Sequence, residues 1–417
     1  MTVDMLAMGQ RARRAMRQLQ HVDAGQRTAM IHRMAERVRL ASDEILAANA
    51  GDVAAAEARA LSSAMIDRLM LTSARVTAIA NALDVIAALP DPIGRIIATN
   101  RPGNGLDITR VSVPLGVIGI VYESRPNVTA DAAAICLKSA NAVILRGGSE
   151  SAGSSHAIVS AVRNALQDVG VDPDAVQMVP SQDRALVGDM LTGLGGCLDV
   201  VVPRGGRSLV ERVQREARVP VIGHLEGLCH LYLDAAADAQ KAIDIALNAK
   251  LRRTGICGAA ETLLIDAALP QATAIATLQA LADNGCEIRG CEQTRTLWPG
   301  ALAANEEDWR TEYLAAVISV RVVDGVEGAI AHIAEYGSGH TDSIITEDAA
   351  SAEHFLNTVD SAIVMHNTST QFADGGEFGM GAEIGISTSR IHARGPVGAA
   401  ELTSYKYRVI SAGKTRD

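Results

Sequence analysis

The sequence predicts an α/β fold made of two doubly wound domains with a small antiparallel excursion. Short, continuously apolar runs alternate with helix-length segments from residue 117 to residue 365. That texture belongs to parallel strands covered on both faces. At 417 residues the chain has room for two or three domains. The rhythm breaks once, between residues 223 and 231, and then resumes.

The elements follow in order. Residues 1–89 read as helices: Val76, Ile79, Leu83 and Ile86 recur at helical spacing behind Ser73 as N-cap, and Pro90 stops the pattern. The stretch RPGNGLDITRVSVP at 101–114 is polar, turn-rich and mildly alternating, which suits a hairpin. The strand–helix rhythm opens with VIGIV at 117–121 and continues with a helix over 131–139 and a strand over 143–145. A helix over 151–167 and strands over 176–179, 200–202 and 221–222 come next. Beyond the break, strands are expected at Leu231, 262–265, 316–323, 344–345 and 362–365. The tail after Gly395 reads as a strand that leaves its domain.

Composition excludes several classes of function. Hydrophobic residues make up 48% and charged residues 21%, which is ordinary globular usage and not that of a disordered chain. No apolar run reaches roughly 18 residues, so no membrane span is expected, and the charged N-terminal residues do not read as a signal peptide. A cytoplasmic protein is the expectation. Lys and Arg number 38 against 48 Asp and Glu, a formal charge of −10, which disfavours a broad grip on nucleic acid or an anionic membrane. Aromatic residues, at 3%, are too few for a platform that stacks bases. The six cysteines lie apart with no CxxC, so reduced thiols are expected rather than a disulfide framework.

Candidate chemistry is concentrated in a few places. No G-x-G-x-x-G joins a strand to a helix and no Walker A sequence occurs. Instead LRGGSE at 145–150 stands between a strand and a helix, where open parallel sheets bind ligands. Arg146 there could hold a ribose 2′-phosphate and Glu150 a ribose hydroxyl; a strand-end loop with a solvated arginine is the other reading. Cys257 lies between Gly255 and Gly258 with Lys250, Arg252 and Arg253 just upstream. Glycines permit close approach of a ligand and cations favour a thiolate, so Cys257 reads either as a nucleophile or as a small buried apolar residue. His224, Cys229 and His230 form an H-x4-C-H spacing that fits no common zinc pattern, so no metal site is expected. The glycine-dense loop DGGEFG at 374–379 either forms part of a site or turns a corner.

Taken together, several blocks resemble one family. They are PLGVIG (114–119), YESRPNVT (122–129), NAVILRGGSE (141–150), VPRGG (202–206), YGSGHTD (336–342) and FADGGEFGMGAEIGISTSRIHAR (372–394). They are similar to the glutamate-5-semialdehyde dehydrogenase family of the aldehyde dehydrogenase superfamily and span most of the chain from 114 to 407. The resemblance implies an aldehyde dehydrogenase-like fold: a cofactor-binding domain over 1–99 and 115–227, a catalytic domain over 228–394, and an oligomerisation arm from 100–114 and 395–417. It implies NADPH-dependent reduction of L-glutamyl 5-phosphate to the semialdehyde with release of phosphate, the second step of proline synthesis from glutamate. Cys257 matches the family's nucleophile, which forms a thioester, and Asn127 the side-chain donor of the oxyanion hole. Arg146, Gly147, Ser149 and Glu150 match the NADPH site, with Arg146 in place of the lysine usual in oxidative relatives. Glu312 resembles the glutamate that positions the nicotinamide ribose; a surface carboxylate is its alternative. Glu123 for the substrate ammonium, and Arg125, Arg390 and Arg394 for its anionic groups, are candidates by position within the blocks.

Glu226 lies in the block resembling the region of the oxidative enzymes' deacylating base and is not assigned that role. Gly258 stands where Asn is expected after the nucleophile, and Thr254 where Pro is common. The resemblance also implies a homodimer or larger homo-oligomer, and raises a transient contact with glutamate 5-kinase. An oxidative aldehyde dehydrogenase that releases an acid, and a non-catalytic scaffold that kept the fold, are the rival readings.

Overall fold

The computed structural model describes residues 3–123 and 125–416. The chain forms two compact units. The first runs to Gly223, and Gly379–Gly385 and the segment from Val397 on return to it; the second holds His224–Phe378 and Ile386–Pro396.

In the first unit, helices come first, at Met5–Leu19, Ala24–Leu40, Ser42–Ala58, Ser63–Leu69 and Ser73–Ala88. The expected periodicity is the buried stripe of the last of them: Val76, Ile79, Leu83 and Ile86 are all buried. Its N-cap is Thr72, one residue before the expected Ser73; the Thr72 hydroxyl accepts from the Arg75 amide at 3.2 Å. Strands β1 (Ile96–Asn100) and β2 (Asp107–Pro114) pair antiparallel, and the C-terminal strand Thr403–Ile410 pairs antiparallel on the other side of β2. Strands β3 (Val117–Tyr122), β4 (Ala142–Arg146), β5 (Val176–Met178) and β6 (Val200–Arg204) make a parallel sheet in the order β5-β4-β3-β6. Every residue of β3 is buried, which is why its sequence is apolar without alternation. The strand expected at 221–222 is a single bridge from Val221 to Val201, because Pro220 has no N–H to extend the ladder. The helix expected from 131 begins at Asn127.

The second unit is a seven-stranded parallel sheet. Its strands are β7 (Cys229–Leu233), β8 (Ala260–Asp266), β9 (Glu287–Gly290), β10 (Leu302–Ala303), β11 (Val317–Val323), β12 (Thr341–Ile345) and β13 (Ile363–His366), in the order β10-β9-β11-β8-β7-β12-β13. Alternate residues serve opposite faces. Leu231, Leu263, Ile265 and Val320 join one apolar cluster, and Tyr232, Leu264 and Ile344 join another with Phe355. Strands β9 and β10 escape sequence reading because they lie at one edge of the sheet, and β9 mixes Glu287 and Arg289 with its apolar residues.

The unit boundaries differ from the expected ones in three places. The first crossing falls between Gly223 and His224 rather than at 227/228. Gly379–Gly385 belongs to the first unit, where Gly381 packs on the side chain of Leu89 and Ile384 and Gly385 exchange backbone hydrogen bonds with Val397. Gly395–Pro396 pairs with Ile386–Ser387 in the second unit instead of entering the arm. The antiparallel strand set also starts at Ile96, before the expected residue 100.

Candidate active site

Cys257 occupies a tight turn between the helix Ala239–Leu251 and β8. The Ala259 amide donates to the Ile256 carbonyl at 3.0 Å, and Gly258 lies flat against the Thr370 carbonyl, where a Cβ would come within 3.2 Å. The half-buried thiol side packs on the cluster of Ile363, Met365, Ala373 and Ile386. A second segment crosses directly over this turn. A Cβ on Gly227 would stand 2.7 Å from Cys257 Cα, so only glycine lets the two backbones pass. That crossing is pinned on both sides: the Gly227 amide donates to Glu312 Oε1 at 2.9 Å and the Leu228 amide to Ser338 Oγ at 2.9 Å. Glu312 thus supports the loop over Cys257, and Glu226 directly precedes the crossing.

Two of the upstream cations are engaged elsewhere than at the thiol. Lys250 is fully buried in an ion pair with Glu261, whose carboxyl burial pushes up to about 7, and Arg252 reaches Gln371 at 3.4 Å. Two imidazoles stand there instead. Cys257 Sγ and a ring nitrogen from each of His224 and His340 all lie within 4.8 Å of one another. His224 Nδ1 meets the Ile386 carbonyl at 2.6 Å and must donate, which puts its lone pair on Nε2. His340 is wholly buried; its Nδ1 faces Thr341 Oγ1 at 2.9 Å and Cys229 Sγ at 3.5 Å, while its Nε2 has no hydrogen-bond partner. Cys229 donates its S–H to the Cys257 carbonyl at 3.1 Å, and burial holds that thiol well above its ordinary pKa. His230, grouped with these residues by sequence spacing, turns instead to Asp342 at 2.8 Å. Sequence reasoning missed His340 because its place beside Cys257 comes from strand order, which no local spacing encodes.

Arg394 donates from both guanidinium nitrogens to Asp360, at 2.7 Å to Oδ1 and 2.7 Å to the carbonyl, and Arg390 pairs with the same carboxylate. These bonds, that of Arg394 foremost, hold the Asp360 carboxyl below its usual range. Both arginines line a cavity with Ser338, Gly339, Ser361 and Thr388.

In the first unit the remaining candidates gather at the carboxyl ends of β3, β4 and β6. Asn127 opens its helix exposed, and its Nδ2 donates to Asp131 Oδ2 at 3.1 Å. Burial pushes the Asp131 carboxyl up to about 6 against the bond from Asn127 and the charge of Arg204. Glu123 accepts from the Gly206 amide at 2.9 Å and so holds the VPRGG loop. Arg125 lies in the connection before Asn127. Arg146 donates to the carbonyls of Gly147 and Gln182, each at 2.9 Å, and its buried Nε has no partner. Burial lowers its pKa; Arg184 and Arg212 add to that, and Glu150 and Glu123 oppose it. Three arginine charges around an orphaned N–H fit a site for a phosphate. Ser149 donates to Glu150 Oε1 at 3.1 Å. The missing side chain of Gly147 has a packing reason, since a Cβ would come within 3.1 Å of Met178 and the Tyr122 ring.

Residues 2–284 match the aldehyde dehydrogenase family. A gamma-glutamyl phosphate reductase of Hyphomonas neptunium is 60% identical over 412 residues, covering 99% of this chain and 96% of that protein. The chain belongs to the gamma-glutamyl phosphate reductases of the aldehyde dehydrogenase family. The crystal structure of the Thermotoga maritima gamma-glutamyl phosphate reductase matches it over 100% of both chains with a TM-score of 0.97 at 41% identity. An acetylating aldehyde dehydrogenase from Geobacillus thermoglucosidasius, at 15% identity and TM-score 0.69 over 99% of this chain and 97% of that one, shares the fold. Family membership implies a nicotinamide cofactor. Among the described residues, no helix is long and apolar enough to cross a membrane.

Proposed function

We propose that this chain reduces L-glutamyl 5-phosphate to L-glutamate 5-semialdehyde with release of phosphate, through a thioester on Cys257. The observation that carries this reading is the Cys257 turn, built by Gly227 and Gly258 and flanked by two imidazoles, in a chain of this family. An imidazole lone pair takes the thiol proton. The thiolate sulfur then attacks the acyl carbon, the C–S bond forms, and the C–O bond to phosphate breaks with its electron pair leaving on phosphate. A reduced nicotinamide supplies, when bound, the hydride that the thioester needs. Asn127 donates to the acyl oxygen as negative charge develops there, with its amide held by Asp131. Collapse of that oxyanion releases the aldehyde and returns the thiolate.

The Arg146 region favours NADPH over NADH. Its orphaned Nε and the neighbouring Arg184 and Arg212 suit a 2′-phosphate, and Glu150 suits a ribose hydroxyl. Ser149 and Gly147 complete that loop, and Glu312 serves the nicotinamide ribose from beside the Gly227 crossing. Arg390 and Arg394 take the substrate's anionic groups by sharing or exchanging Asp360, with Arg125 as a third cation and Glu123 for the ammonium. The first unit, up to Gly223, is the cofactor-binding domain and the second the catalytic domain. The strand set of β1, β2 and Thr403–Ile410 is an oligomerisation arm: it leaves Ile96, Tyr407, Val409 and Ile410 largely exposed, as suits sheet or side-chain pairing with a second copy. Glutamate 5-kinase, whose product is labile, is a transient partner, and the cytoplasm is the compartment.

The test runs the reaction backwards. Purified protein receives the semialdehyde, inorganic phosphate and NADP, and NADPH absorbance is followed. Phosphate-dependent formation that vanishes in Cys257→Ala is expected. Formation without phosphate would mean an acid-releasing enzyme, and no formation with either nicotinamide would mean a scaffold.

A further inference from the structure

The donor set around the nucleophile has a second chemistry. We propose that His224, Cys257 and His340 form a binding site for a thiophilic divalent cation of the zinc type, whose occupancy takes the nucleophile out of reaction. Two imidazoles and one thiolate are the ligands zinc prefers, and three protein ligands leave one position for water or an anion. The three donor atoms lie within 4.8 Å of one another. Zinc bonds of about 2.0–2.3 Å would place them roughly 3.3–3.6 Å apart, a closing movement of up to about 1.5 Å.

The far-side contacts of both imidazoles are compatible with the tautomer that ligation through Nε2 requires. The Ile386 carbonyl at 2.6 Å fixes the proton of His224 on Nδ1. Cys229 has its S–H on the Cys257 carbonyl, so its sulfur faces His340 Nδ1 as an acceptor and joins Thr341 Oγ1 in taking that proton. With the proton on Nδ1, the lone pair of His340 falls on Nε2, a fully buried atom without a hydrogen-bond partner. An orphaned, buried imidazole nitrogen is costly unless something fills it. Carbonyl and hydroxyl contacts on the far nitrogen are the orienting partners that metal-binding histidines have. On binding, the Cys257 S–H bond breaks, sulfur keeps the electron pair and bonds the cation, and the proton leaves to buffer. A sulfur tied up in this way no longer attacks an acyl phosphate, so the cation acts as a reversible inhibitor. The site itself stands on three residues in one unit. Only its inhibitory consequence rests on the reductase reading.

The experiment uses the full chain stripped with a chelator, with no nicotinamide or acyl phosphate present. Zn2+ is titrated against a chromogenic chelator, Co2+ replaces it for absorption spectroscopy, and iodoacetamide labelling of the Cys257 peptide is timed by mass spectrometry. The expected result is one cation per chain and a thiolate-to-cobalt charge-transfer band that is lost in Cys257→Ser. Labelling of Cys257 should slow at least about tenfold with Zn2+, and recover with chelator. His340→Ala and His224→Ala should each weaken binding at least about tenfold, with His340→Gln as a second variant if alanine unfolds the chain. Undiminished affinity in the folded histidine variants, or no thiolate band in the unsubstituted protein, would overturn the site. Failure of phosphate-dependent NADPH formation by metal-free protein, with metal binding intact, would overturn the reductase reading alone.

Discussion

Asn127 donates an amide hydrogen to Asp131, so in the proposed oxyanion role of Asn127 it is Asp131 that aims the donor. Its carboxyl, pushed up to about 6 by burial, is ionised above that pH, and an anionic acceptor holds the amide more firmly than a neutral one. Lowering the pH through 6 protonates it, so kcat should fall on the acid side with an apparent pKa near 6. Asp131→Asn should remove that limb and lower kcat about ten- to a hundredfold with little change in KM; a pH–rate profile that keeps the limb would show that Asp131 plays no such part. At the end of β4, a charge-assisted bond from Arg146 to a 2′-phosphate would contribute about 1.5–3 kcal/mol. Arg146→Ala should therefore raise the KM for NADPH about ten- to a hundredfold and leave that for NADH nearly unchanged in steady-state assays. Of these residues, Cys257 and Arg146 stand out as candidates in the sequence because glycines and strand ends mark them locally. His340 and Asp131 do not, since nothing in their own segments shows that they face Cys257 or Asn127.

Elements explain why the turn of Cys257 needs such particular sequence. The 224–228 segment runs over Cys257 into β7 and has no room for a side chain at Gly227. Gly227→Ala should push the two backbones apart and misplace both the thiol and the Glu312 contact. About a hundredfold loss in kcat is expected, together with a clearly lowered melting temperature, because the added Cβ would stand 2.1 Å from the Cys257 carbonyl oxygen and backbone must move to relieve it. The strands were mostly readable because burial on both faces turns them into short apolar runs. The edge strand β10 and its neighbour β9 lack that signature. The return of Gly379–Gly385 to the first unit rests on Leu89 and Val397, distant residues that local pattern does not reveal.

At the scale of the whole molecule, the C-terminal strand is exposed along nearly all its length, with apolar and aromatic side chains among its residues. At the edge of its sheet, a strand of that kind is a template for pairing with a second chain. Replacing Tyr407 and Val409 together with Asp should shift the protein towards monomer in analytical ultracentrifugation while circular dichroism stays unchanged; an unaltered sedimentation profile would contradict the arm's assignment. The net charge of −10 fits a protein that binds anions only where cations are gathered, as they are around Arg146 and at Arg390 and Arg394. The central claim is that catalysis passes through an acyl group on Cys257. It is tested most directly by incubating the protein with the semialdehyde and NADP without phosphate, quenching in acid, and weighing the peptide that carries Cys257. The account predicts a glutamyl adduct on that peptide, discharged when phosphate is added before the quench. NADPH formation with no adduct on Cys257, or an adduct that phosphate does not discharge, would contradict it.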